Sequence, residues 1–138
     1  MPTKAQSTNI FDPVRKKRVA LTPEEGVRQW VIGLLHEHYG YPLELMQVEG
    51  AISVNGMTRR CDIVVYDTTG KPHLIVECKK PDVSITQKVC DQACRYNTVL
   101  HVPYLLLTNG RQMVTVAVDF ASGTLRQLPE PPHYAKKS

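Results

Sequence analysis

Behind Thr22-Pro23-Glu24-Glu25, apolar residues recur at helical spacing through Val27, Trp30, Val31, Leu34 and Leu35 to His38. Thr22 suits a helix cap, Pro23 the first turn, and Glu25 the third position of a capping box. Gly40 and Pro42 stop the run, so the spacing predicts a helix with one face on a sheet. The pattern then changes to strands. Gln47–Val54 and Met57–Tyr66 flank Asn55-Gly56, a strong hairpin signal, and Asp67-Thr68-Thr69-Gly70-Lys71-Pro72 turns the chain into Leu74–Lys79. A meander of antiparallel strands is expected. After Pro81, the residues Ile85, Val89, Gln92, Ala93, Tyr96, Val99 and Leu100 predict a second helix, with Ser84 as its candidate cap. A crossover helix lets the chain return in parallel, and the apolar run Pro103–Thr108 reads as that buried strand. Met113, Thr115 and Ala117 alternate with Val114, Val116 and Val118 after Asn109-Gly110, and Leu125–Leu128 adds an edge strand. The expected fold is α/β, a mixed sheet of an antiparallel meander plus a parallel strand, flanked by helices. Residues 21–128 form its single domain, 1–20 an amino-terminal arm, and 129–138, with Pro129, Pro131 and Pro132, a poorly ordered tail.

A length of 138 residues with 42% hydrophobic content suffices for one core and not for two. No apolar run reaches membrane-spanning length and no signal pattern opens the chain, which is therefore expected to be soluble, cytoplasmic and free of membrane. The net charge of +4 is unevenly spread: residues 1–20 carry +4, 130–138 carry +1, and 21–129 carry −1. Overall basicity therefore says little about nucleic acid. Arg15-Lys16-Lys17-Arg18 reads either as a phosphate-contacting cluster or as a solubilising tail. Cys61, Cys78, Cys90 and Cys94 form no Cys-x-x-Cys pair and read as buried thiols. His36 and His38, two apart, do not share a helix face and read as surface or packing residues.

The chemistry concentrates on two neighbouring strands. Asp62 lies in Arg60-Cys61-Asp62-Ile63-Val64-Val65-Tyr66, and Glu77 and Lys79 share one face of Leu74-Ile75-Val76-Glu77-Cys78-Lys79. Two carboxylates and an ammonium that converge suit a metal-dependent phosphodiesterase, because magnesium takes one or two protein carboxylates and leaves room for water and phosphate. The plainer reading pairs Asp62 with Arg59 or Arg60, and Glu77 with Lys79 in a cross-strand bridge.

The order helix, meander, helix, strand with Asp62 and Glu77-Cys78-Lys79 resembles the PD-(D/E)xK nuclease superfamily, whose core is restriction-endonuclease-like. Phe11-Asp12-Pro13-Val14-Arg15-Lys16-Lys17, Thr22-Pro23-Glu24-Glu25-Gly26-Val27-Arg28-Gln29 and Gly40-Tyr41-Pro42 further resemble the amino-terminal nuclease domain of type I restriction enzyme R subunits. The resemblance covers roughly residues 10–110. It implies a Mg²⁺- or Mn²⁺-dependent DNA endonuclease with Asp62, Glu77 and the Cys78 carbonyl as metal ligands and Lys79 positioning the attacking water. It further implies an acidic residue near the metal on the first helix, Glu25 with Glu24 in reserve, against which stands the capping role of Glu25. Gln92 and Tyr96, one turn apart, match a Gln-x-x-x-Tyr feature near the active site; the alternative is Tyr96 in the core and Gln92 in solvent. Arg59, Arg60, Lys80, Lys88 and Arg95 are candidates for a phosphate track or ordinary surface charges. Cys61 stands where the superfamily name has proline, a residue that ligates no metal.

No Gly-x-x-x-x-Gly-Lys-Ser/Thr loop occurs, so this sequence holds no ATPase motor, and no zinc finger or helix-turn-helix reads bases. A translocase or modification subunit acting in trans is the partner this implies, with homo-oligomerisation left open. The alternatives are a catalytically inactive nuclease-fold module that binds DNA or a protein, and an RNA-directed hydrolase.

Overall fold

The computed structural model describes residues 8–135. A hairpin, β1 (Asn9–Asp12) and β2 (Lys17–Ala20), precedes α1 (Pro23–Gly33), which continues as a π-helical stretch over Leu34–His38 and then a 3₁₀ turn at Leu43–Leu45. The rest is β3 (Met46–Val54), β4 (Met57–Tyr66), β5 (Pro72–Cys78), α2 (Gln87–Leu100), β6 (Tyr104–Thr108), β7 (Met113–Asp119) and β8 (Thr124–Leu128). Strands β3 to β8 form one sheet in sequence order, antiparallel except where β5 and β6 run parallel. The mixed α/β sheet expected from the sequence is therefore present, and β4 has its expected bounds. The cap of α2 is Thr86 rather than Ser84: its hydroxyl accepts from Val89 N.

Each face of the sheet carries its own core. On one, Val27, Val31, Ile32 and Leu35 of α1 pack against Ile63, Val65, Leu74, Val76, Cys78 and Leu106. On the other, Ala93, Cys94 and Leu100 of α2 pack with Cys61, Val64, Ile75, Leu105 and Leu107. Double coverage explains why β5 and β6 read as continuous apolar runs. Trp30, expected on the packed face of α1, is instead 45% exposed, and Ile32 takes the buried position. All four cysteines are free; Cys61, Cys78 and Cys94 are buried and Cys90 is partly so. His36 Nδ1 lies 2.8 Å from the Tyr41 carbonyl oxygen, and His38 packs edge-on to Tyr39. Among the described residues, no helix is long and apolar enough to cross a membrane.

Both ends depart from the sequence expectation. Residues 9–20, read as part of an arm, are a hairpin because Asp12 organises its turn: the fully buried carboxylate accepts from the Val14 and Arg15 amides and from Arg15 Nε. Residues 129–135, read as part of a loose tail, run against Tyr39 and Tyr41, just past the π-helical stretch. Tyr41 Oη donates to the Pro132 carbonyl at 2.6 Å, Tyr134 N to the Tyr39 carbonyl at 2.9 Å, and Tyr39 Oη to Glu130 at 3.1 Å. Residues 1–7 and 136–138 of the arm and tail lie outside the described residues.

If Asp12 holds the hairpin, Asp12→Ala should cost roughly 2–4 kcal/mol in urea denaturation, since it strands two amides and Arg15. Its exposed register partner Lys17, changed to Ala, should cost less than about 0.5 kcal/mol.

Candidate active site

Strands β4 and β5 pair from Tyr66↔Pro72 as far as Ile63↔Val76. One step on, the Cys78 amide is met by a side chain: it donates to Asp62 Oδ2 at 2.7 Å. The ladder on the other side of β4 is interrupted at the same place, since Val48↔Ile63 and Gly50↔Cys61 pair while Glu49, between them, has φ 56°. A left-handed non-glycine residue opposite Asp62 locally twists the strand. The effect shows in the cores: Cys61 and Ile63, which strict alternation would put on one face, belong to opposite faces. Asp62 thus sits where β4 breaks its own period.

Asp62 turns toward α1. Its Oδ1 accepts from Arg28 Nη2 at 3.2 Å, and Arg28 Nη1 donates to Glu25 Oε1 at 2.9 Å. Glu25 Oε2 also accepts from Arg15 Nη2 at 2.9 Å and Gln29 Nε2 at 3.0 Å. The capping-box reading of Glu25 is half right. Its amide does donate to Thr22 Oγ1 at 3.1 Å, but its buried carboxylate serves the two arginines. Glu25 is therefore one arginine removed from Asp62. Glu49 completes the group, with Oε1 at 3.5 Å from both Arg15 and Arg28.

Glu77 and Lys79 face the other way, as their shared parity requires. With Arg59, Val89, Gln92, Ala93 and Leu107 they line a pocket of about 190 Å³ between the end of β5 and α2. Arg59 Nη2 donates to Glu77 Oε2 at 2.8 Å, and Lys79, just past β5, is fixed by its amide donating to the Thr108 carbonyl at 2.9 Å. Asp62 is not part of that lining, but its charge reaches Glu77. The Glu77 carboxyl is pushed up to about 7: burial is the main cause, Asp62 adds to it, and Arg59 and Lys79 oppose it. Burial also pushes the Cys61 thiol up to about 12 and the Cys78 thiol upward, which makes both inert. Among the described residues, no three His, Cys, Asp or Glu side chains gather as a metal cage.

The remaining sequence candidates divide. Gln92 lines the pocket; the Tyr96 side chain lies outside what the structure describes. Lys88 and Arg95 are exposed on the α2 face that carries Gln92, and Lys80 is exposed just before it. Arg60 is exposed and donates to the Glu49 carbonyl at 3.1 Å. Of Arg15-Lys16-Lys17-Arg18, Arg15 is turned inward and Arg18 binds Asn9, so the cluster is not a free basic arm. Arg28 was not singled out from the sequence. Its signal was Glu25-x-x-Arg28, a charged pair on one face of a helix that otherwise buries Val27 and Val31.

The family model for Type I restriction enzyme R protein N terminus (HSDR_N) matches residues 23–132. The chain belongs to this family. Among solved structures, it is similar to a fragment of a chain described as an HsdR subunit of a type I restriction enzyme from Vibrio vulnificus YJ016. That match has 20% identity and a TM-score of 0.58, over 82% of this chain and 24% of the other. A second, a protein described as a nuclease belonging to DUF820 from Anabaena variabilis ATCC 29413, has 11% identity and a TM-score of 0.52, over 95% and 81%. At those identities the likeness is one of fold, and the chain spans about a quarter of the Vibrio fragment's length. No curated protein matches the sequence. The family is shown by the family model, whose match begins after the β1–β2 hairpin, and the two solved structures share the fold.

A carboxyl raised from its ordinary 4.5 to about 7 binds its proton more tightly in the folded chain. Its stabilising contribution is then full below the unfolded value and is lost as pH rises through the folded one. In EDTA, Glu77→Gln should therefore gain on wild type by up to about 2–3 kcal/mol between pH 4.5 and 8. A denaturation series showing a pH-independent difference would contradict the raised value.

Proposed function

We propose that the chain is a Mg²⁺-dependent endonuclease module that hydrolyses phosphodiester bonds of DNA. The observation that carries this reading is that Glu77 and Lys79 share one pocket within electrostatic reach of Asp62, in a chain of the type I R protein N-terminal family. The donor set fits a hard divalent ion. Asp62 and Glu77 offer carboxylate oxygens and the Cys78 main chain, between Glu77 and Lys79, offers a carbonyl oxygen; magnesium needs no larger cage. When bound, the ion supplies an acidified water and offsets charge on the phosphoryl oxygens. The protein's own part falls to three groups. Lys79, an ammonium that cannot ligate a cation, orients the attacking water and meets the developing negative charge. Gln92 offers an amide donor and acceptor from α2 to the same pocket. Lys88 and Arg95, with Lys80, give the strand a phosphate track, while Arg59 acts as the partner of Glu77.

One observation favours a second reading: each carboxylate already carries an arginine, Arg28 on Asp62 and Arg59 on Glu77. A non-catalytic module that binds DNA or a motor subunit would keep both pairs closed. Incubation with supercoiled, linear and single-stranded DNA in Mg²⁺, Mn²⁺ or EDTA, with and without a translocase partner, separates the two.

Lys79→Ala should lower cleavage by about two to four orders of magnitude, with metal and DNA binding little changed. Lys80→Ala, the exposed neighbour, should lose part of the DNA affinity but keep its cleavage rate at saturating DNA. Asp62→Asn should abolish Mn²⁺ binding in titration calorimetry, and equal binding by both proteins removes Asp62 as a ligand. Replacing Lys80, Lys88 and Arg95 together by Ala should flatten the slope of log K against log salt by about two to three units. An unaltered slope would put the DNA elsewhere.

A further inference from the structure

Arg28 is buried, yet its Nε has no hydrogen-bond partner. It bridges two carboxylates unequally, at 2.9 Å to Glu25 and 3.2 Å to Asp62. We propose that Arg28 is the resident counter-ion of Asp62: it holds Oδ1 in the metal-free protein and yields it on metal binding, staying tethered to Glu25. This rests on the reading of Asp62 as a metal ligand.

Several observations make the exchange feasible. The Asp62 carboxylate does not depend on Arg28 for its place, because the Cys78 amide holds Oδ2 at the shorter distance of 2.7 Å. The released Nη2 has an acceptor nearby, since Glu49, half-exposed, already lies 3.5 Å from Nη1 of the same guanidinium. Nor does the exchange strand positive charge. Asp12, Glu25, Glu49 and Asp62 outnumber Arg15, Arg28 and Arg60, the last 4.0 Å from Glu49, so a cation at Asp62 enters a region with negative charge to spare. Arg15 and Gln29 hold Glu25 from the other side, so Arg28 moves against a fixed anchor. The anchor itself is tied through Arg15 to Asp12, and so to the hairpin.

The proposal fixes the sign of an effect. If Arg28 served only to orient Asp62, its loss would weaken metal binding; as a counter-ion that must be given up, its loss strengthens it. Arg28→Met removes the charge at similar volume and leaves Glu25 with Arg15 and Gln29. Without DNA, Arg28→Met should bind Mg²⁺ about tenfold more tightly than wild type in titration calorimetry, the low end of what one opposite charge does to a neighbouring carboxylate's proton affinity. Arg28→Lys, which keeps the charge, should stay near wild type. Unchanged or weaker binding by Arg28→Met overturns the proposal, as does equal tightening by Arg28→Lys, which would assign the effect to packing. Should Arg28→Met fail to fold, side-chain NMR of wild type decides: the guanidinium protons of Arg28 should exchange faster with water on Mg²⁺ saturation, and unchanged exchange overturns the idea. Wild type that binds no Mg²⁺ overturns the proposed function and this inference together. Mg²⁺ binding that is indifferent to Arg28 overturns only the inference.

Discussion

Where β4 and β5 stop exchanging main-chain hydrogen bonds, the Cys78 amide is left in a buried environment and must find an acceptor. Asp62 Oδ2 supplies it, and that bond fixes a carboxylate at the point where the two strands part. Much of the site depends on this substitution of a side chain for a ladder bond. A parting of strands makes room for chemistry, but only if the freed backbone groups are satisfied without closing the gap again. An aspartate does both, since one oxygen serves the amide and the other stays available for a second partner.

The charges around it form a row of alternating sign, Asp12, Arg15, Glu25, Arg28 and Asp62, from the hairpin turn to the sheet. Most members are shielded from water, where unpaired charges are expensive and pairing is close to obligatory. Such a row adds polar ties between the hairpin, α1 and β4 to the apolar packing beneath them. It makes the β1–β2 hairpin, which precedes the family-model match, part of the support of Asp62. On the opposite face Glu77 is treated differently, with burial winning over Arg59 and its carboxyl held near neutrality.

Turn signals and apolar runs made the sheet legible, with the Asn55-Gly56 turn setting the register of β3 and β4, and the sharing of faces within a strand was read from period-two alternation. It also placed Glu77 and Lys79 together. It did not place Asp62, because alternation fails where Glu49 takes a left-handed conformation, and nothing in the glutamate itself signals that. Nor did it show that Cys61 and Cys78, both buried, would lie on opposite faces. The hairpin at residues 9–20 escaped notice for a different reason. Its order comes from Asp12, whose bonds to Val14 and Arg15 are local, whereas its docking comes from Arg15 and Glu25, ten positions apart. Trp30 departs from its predicted face because period alone does not separate two adjacent flanks of one helix, and burial falls on the flank with Ile32.

The parallel pairing of β5 with β6 bears on the order in which the site is assembled. Strands β3, β4 and β5 join through short turns, so the strand ends that carry Asp62 and Glu77 are set side by side by contacts that close small loops. The far wall of the pocket comes from α2 and from Leu107 on β6, which reach β5 only after a crossover of the chain. Contacts of that kind form late, because loop closure is costly before it is repaid. A partly folded chain can therefore hold its carboxylates in register while lacking the wall that confines Lys79 and Gln92. The pocket is a property of the finished domain, and a nascent or frayed molecule carries Asp62 and Glu77 without it.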